Sequence, residues 1–142
     1  MPLTRKDIAR LIPHGASMSL LDAVAGWDTD RILCTTTSHR RGGNPLWAGG
    51  MLPSACLIEY GAQAAALHCA LGRQGQALTG PAYLGSVKDA QWHSETVNKS
   101  IDKLHIEARC VMQQSGGAIY QIKASAGAQP LIEARIVLVQ AV

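Results

Sequence analysis

Between Arg41 and Arg73 the chain carries one formal charge, Glu59, inside the run MLPSACLIEYGAQAAALHCAL from Met51 to Leu71. Small and apolar residues surround it, so the segment reads as a buried helix with a carboxylate in it. A buried carboxylate is costly unless it is paired, hydrogen-bonded or kept protonated. It can serve structure, bonded to Gln63 or to a partner chain, or it can move protons for a substrate. Five histidines, His14, His39, His68, His93 and His105, are available to stand opposite it. There is no nucleophile–base pair, no cluster with metal-ligand spacing and no phosphate loop. Gly42–Gly43 and Gly49–Gly50 do not make a dinucleotide fingerprint. No metal and no cofactor are expected.

The composition narrows the setting. With 142 residues the chain is expected to be one domain, residues 1–142, with a core of its own. Hydrophobic residues make up 47% and charged ones 16%, which excludes disorder and suggests that some surface is buried in a partner. A net charge of +3, with scattered cations and few aromatics, is too mild for nucleic acid but compatible with an acidic partner. The four cysteines form no CxxC pair and read as reduced thiols of a cytoplasmic protein. MPLTRKDIAR has no apolar core, so no signal peptide is expected. Met51–Leu71 is long enough to cross a bilayer. Glu59, Gln63, His68 and the alanines make it a soluble core helix instead, and no membrane association is expected.

Further elements must position these groups. Thr4 can cap a short helix with Asp7 as its capping partner, Ile8, Leu11 and Ile12 as its apolar side and Pro13 as its end. Leu20–Trp27 and Arg31–Ser38 read as a hairpin around Asp28. RRGGNPLWAGG is a loop with tight turns, and Pro53 suits the first turn of the long helix. Gly72 and Gly75 bracket its end. Tyr83–Glu95 reads as a strand with a bulge at Gly85. Leu104–Gln113, Ile119–Ala126 and Leu131–Gln140 read as a three-strand antiparallel meander, turning at Ser115–Gly117 and Ala128–Pro130. One apolar helix with a sheet to cover implies an α+β fold in which the sheet wraps the helix. The alanines of the helix would let the sheet approach closely.

In order along the chain, IPHGASMSLLDAV, a Gly/Pro loop, MLPSACLIEYGAQAAA and YLGSVKDAQW resemble the β-hydroxyacyl-acyl-carrier-protein dehydratases of bacterial fatty-acid synthesis. The resemblance covers most of the chain and implies a hotdog fold: an antiparallel sheet around one long central helix. It places Glu59 on the family's helix acid, Gln63 on the glutamine one turn later, and Ser54 on the glycine whose N–H faces the thioester carbonyl. His14 and Asp22 fall on the histidine and aspartate of the opening motif, and Gly85, Lys88, Ala90 and Trp92 follow the later strand. The family's catalytic histidine lies in a GHFPG tract just before the helix. Here that tract is shortened to NPLWAGGMLP, with Trp47 and Gly49 in its place. A subgroup that lacks this histidine, including members from aryl-polyene-type lipid pathways, is what the sequence resembles.

Three functions follow from that resemblance. The first is dehydration of a 3-hydroxyacyl thioester carried by acyl carrier protein or coenzyme A. Glu59 and His14 would share the proton transfers, and Ser54 and Gln63 would hold the substrate. His14 could equally be structural, fixing its turn, and Ser54 a plain helix-start residue. His39 reads as exposed but able to swing in, His68 as a satisfied core histidine, and His93 and His105 as structural or surface residues. The second is a catalytically silent hotdog partner of a competent paralogue. The third is a thioesterase whose helix carboxylate activates water. In each case a homodimer, or a heterodimer with a hotdog paralogue, is expected.

Overall fold

The computed structural model describes residues 4–11, 20–40, 44, 46, 52–72, 82–98, 100–114 and 116–140. Helix α1, Arg5–Leu11, begins as the sequence suggests: Thr4 N–H donates to Asp7 Oδ2 at 3.0 Å, and Ile8 is buried. Strands β1, Ala23–Trp27, and β2, Arg31–Thr36, form the first hairpin, and the chain then makes a 3-10 turn, Ser38–Arg40. The short strand β3, Leu52–Pro53, precedes a 3-10 turn, Ser54–Cys56, that runs into helix α2, Leu57–Leu71. Strand β4, Ala82–Trp92, is followed by β5, Thr96–Val97, and then by the meander β6, Leu104–Gln114, β7, Gly117–Ala126, and β8, Gln129–Gln140.

The long strands make one antiparallel sheet in the order β1-β2-β6-β7-β8-β4, so β4 closes one edge. Alternation along the meander sends Leu104, Ile106, Ala108, Tyr120, Ile122, Ala124, Ala134 and Ile136 to one face, where they are buried against α2. The helix is apolar nearly all round, as a helix wrapped by a sheet must be. Close approach rests on small residues. A Cβ on Gly61 would lie 2.4 Å from Ile122 Cδ1 and 2.8 Å from its Cβ. This is the expected α+β hotdog arrangement.

The differences from the sequence reading have local causes. Pro53 lies ahead of the helix in β3, which pairs with β5, a strand too short to carry a periodic signal. Gly85 marks a break in register between Leu84 and Ser86, as expected, and a second break between Lys88 and Gln91 holds Asp89 at φ 54°. The last turn is Gly127–Ala128, one step earlier than expected, because Gly127 at φ 59° takes the left-handed position. Among the described residues no helix is long and apolar enough to cross a membrane.

Candidate active site

Most of α2 is buried. Only Ile58 and Glu59, in its first turn, and Cys69, near its end, are partly exposed. Glu59 is therefore half-open to solvent in the single chain, not the buried carboxylate that its sequence context suggests. The partly exposed side is narrow: Leu57 and Tyr60 of the same turn are fully buried. An acidic side chain there also suits the positive end of the helix dipole.

Among the described residues, Gln63 is the group that bonds this carboxylate. It is fully buried. Its Nε2 donates to Glu59 Oε1 at 3.4 Å, and its Oε1 accepts the N–H of Leu20 at 3.0 Å. The amide is thus oriented by a backbone donor, which leaves the NH2 group to face Glu59. Leu20 belongs to the opening motif, so one glutamine ties that motif to the acidic turn. His14, Trp47 and Gly49 lie outside the described residues.

Ser54 is buried at the start of the helix. Its N–H donates to the carbonyl of Glu95 at 2.8 Å, across the small β3–β5 sheet. That donor is engaged within the chain. Among the described residues the Ser54 hydroxyl is buried without a hydrogen-bond partner.

A second buried network, which sequence reasoning missed, fixes Asn44 to Ser38 and to Tyr60 of the helix. The Asn44 amide donates to the Ser38 carbonyl at 3.0 Å and to the Tyr60 hydroxyl at 2.9 Å. Ser38 Oγ donates to Tyr60 at 2.9 Å and stands 2.9 Å from Thr36 Oγ1, whose hydroxyl reaches the Leu20 carbonyl. Leu46 N–H closes the turn on Asn44 Oδ1 at 2.9 Å. The Cys56 thiol lies 3.8 Å from the Leu46 carbonyl, and burial pushes it up, away from nucleophilic use. The signal was present as one asparagine in a Gly/Pro loop. A polar residue there is more often a solvated turn former than a buried anchor.

The remaining histidines sort by their partners. His39 is buried, not exposed as its place after a strand suggested, and its Nε2 lies 2.6 Å from the Ile101 carbonyl. A carbonyl only accepts, so Nε2 carries the proton. Desolvation lowers the pKa of His39, against the upward pull of that bond. His68 is the satisfied core histidine the sequence suggested: Nε2–H donates to the Asp28 carbonyl at 2.8 Å, and Nδ1 takes the Tyr120 hydroxyl at 2.6 Å. Burial, followed by the neighbouring Cys69 and Cys110 thiols, pushes Tyr120 well up and keeps it a phenol. His93 is exposed and His105 half-buried. Asp22 accepts Thr37 N–H at 2.8 Å and so is bound into the fold.

Beyond this turn lies uncovered apolar surface. On the edge strand, Leu84 pairs with Leu138, Val87 with Ile136 and Trp92 with Ile132, so all three face the helix side of the sheet. Yet they are 38%, 38% and 51% exposed, on the strand that ends the sheet among the described residues. The end of β4 leads directly into Glu95, the residue that holds Ser54.

A family model described as ApeP-like, ApeP dehydratase, matches residues 6–142. No curated protein matches the sequence. Among solved structures, the dehydratase heterocomplex ApeI:P from Xenorhabdus doucetiae is similar with a TM-score of 0.86 and 22% identity, over 95% of this chain and 91% of that one. A thioesterase from Haemophilus influenzae is similar at 0.65 and 14% identity, over 96% and 90% of the two chains. The E. coli PaaI protein of the phenylacetic acid degradation operon gives 0.57 and 14%, over 96% and 89%. At such identities these likenesses establish the hotdog fold.

Proposed function

The chain belongs to the ApeP-like dehydratase family, and we propose that it removes water from a 3-hydroxyacyl thioester while paired with a second hotdog chain. The observation that carries this reading is Glu59, the one carboxylate at the open turn of an otherwise buried helix, held by Gln63.

Dehydration takes a proton from the carbon beside the thioester carbonyl and gives one to the departing hydroxyl. One group must accept, another must donate, and the carbonyl oxygen must be stabilised as charge builds on it. Glu59 is the group for the hydroxyl. Gln63 is a positioning residue that fixes the carboxylate through the Leu20 N–H. His14 is the candidate for the carbon proton, on its place in the opening motif. With Ser54 N–H engaged by Glu95, the next donor at the helix start is the N–H of Ala55. A 3-10 turn beginning at Ser54 leaves it without an intrahelical partner.

The second chain enters for a physical reason. Leu84, Val87 and Trp92 leave an apolar strip along an open strand edge, and such edges invite pairing. The relative from Xenorhabdus is a heterocomplex, which favours a hotdog paralogue over a second copy. The acyl group would ride on acyl carrier protein or coenzyme A.

The test is to incubate the chain, alone and with a co-expressed hotdog paralogue, with a 3-hydroxyacyl carrier-protein thioester. Loss of water supports the reading, and release of the free acid would point to hydrolysis instead. Loss of water that depends on the paralogue and survives Glu59→Gln together with His14→Ala would make this chain the silent partner. The lack of a histidine between Asn44 and Pro53 favours that second reading.

A further inference from the structure

The face of the sheet turned away from α2 carries a line of like charges that the proposed chemistry does not use. Arg31 on β2 pairs with Arg109 on β6, Arg109 with Gln121 on β7, Gln121 with Arg135 on β8, and Arg135 with Lys88 on β4. Five neighbouring strands thus present one straight row of four cations around a glutamine. All four cations are exposed. Their strand neighbours Ile32, Ala108 and Ile136 are buried on the opposite face, which fixes the direction of the row.

Such a row is unfavourable for folding. Like charges directly opposite across a strand pair repel, and here two direct pairs do so, Arg31 with Arg109 and Arg135 with Lys88. The next row shows how the same sheet avoids this: Glu107, Lys123 and Glu133 stand opposite one another with alternating sign. Of the row's cations, Arg31 alone has an ion pair, 3.5 Å from Glu107; Arg109, Arg135 and Lys88 have none among the described residues. The other flank is apolar, with Met112 opposite Ile119 and Ile119 opposite Val137.

We infer that this outer row is a docking site for an acidic helix of a partner protein, laid across the strands. Strands stand about 4.8 Å apart, so the row is about 19 Å long. A helix rises about 5.4 Å per turn, so acidic residues three or four apart fall close to successive cations along three to four turns. The apolar flank takes the side of that helix adjoining its acidic face, which a nucleic-acid backbone would leave unmatched. The row ends at Lys88 on β4, on the face opposite Leu84, Val87 and Trp92, so docking here leaves that apolar strip open to the second hotdog chain. The inference stands without the dehydratase reading.

The probe is a fluorescent helical peptide with glutamate at every third or fourth position along one face, titrated into the intact chain at low and high salt. Arg109→Gln with Arg135→Gln should weaken binding about tenfold or more, and added salt should weaken binding to the wild-type chain. The same double variant should melt at the same temperature or higher, since it relieves two repelling pairs. Lys6→Gln with Lys103→Gln, which removes the same charge from exposed sites elsewhere, should leave binding within about twofold. Absence of binding by the wild-type chain, equal loss in both double variants, or a lower melting temperature for the row variant would overturn the inference. Tighter row-dependent binding to a DNA duplex or to phosphatidylserine vesicles would also overturn it.

Discussion

Glu59, Gln63 and Leu20 form the smallest unit on which the proposed function rests. Replacing Glu59 by Gln keeps the shape and removes the proton carrier; turnover should fall about 10²–10⁴-fold with melting temperature little changed. Gln63→Leu should act differently. It strands the buried Leu20 N–H, so unfolding measured in urea should show a loss of about 1–3 kcal/mol as well as slower turnover. The sequence made Gln63 visible as a neighbour of Glu59 on one helix. Its bond to a residue 43 positions away was not legible, because that contact exists only once the sheet has closed. His39 gives a pH signature. Its folded-state pKa lies below the ordinary 6.5, so the unfolded chain binds the proton first. Stability from this group is complete above about 6.5 and is lost as pH falls through the depressed folded value. Denaturant midpoints measured from neutral pH downwards should show that loss, and His39→Gln should flatten it.

At the scale of elements, helix α2 and strand β4 carry the account. Gly61 lets β7 press against the helix, and Ala in its place should cost about 1–3 kcal/mol. That strain outweighs the gain of about 1 kcal/mol that alanine brings to a helix interior. Chemical denaturation of Gly61→Ala measures the balance directly. Helix α2 and the meander were legible because their periods are long and regular. The short β3–β5 pair was not, and it decides the placing of Ser54, whose N–H it takes up. Asn44 was hidden for a similar reason. Nothing local distinguishes an asparagine that caps a solvated turn from one that bonds Ser38 and Tyr60 in the core. At the far end of the helix, Tyr120→Phe should leave His68 Nδ1 without its donor and lower stability by about 1–3 kcal/mol in thermal or urea unfolding.

For the whole molecule, the hotdog fold explains why the single chain looks incomplete. Among the described residues its sheet ends at β4, whose helix-side residues Leu84, Val87 and Trp92 are exposed. A chain with 47% hydrophobic residues and few charges already suggests surface kept for a partner. Which surface it is depends on strand order, which composition does not encode. Val87→Lys, a charge placed on the helix side of β4, should weaken association with a hotdog partner in size-exclusion chromatography with light scattering while leaving the chain folded. The central claim, that this chain supplies Glu59 to a dehydration, is tested most directly by single-turnover water loss from a 3-hydroxyacyl carrier-protein thioester. The comparison is between the wild-type and Glu59→Gln chains in complex with the same partner. A rate lowered about 10²-fold or more in the variant complex is the predicted result. An unchanged rate would contradict it.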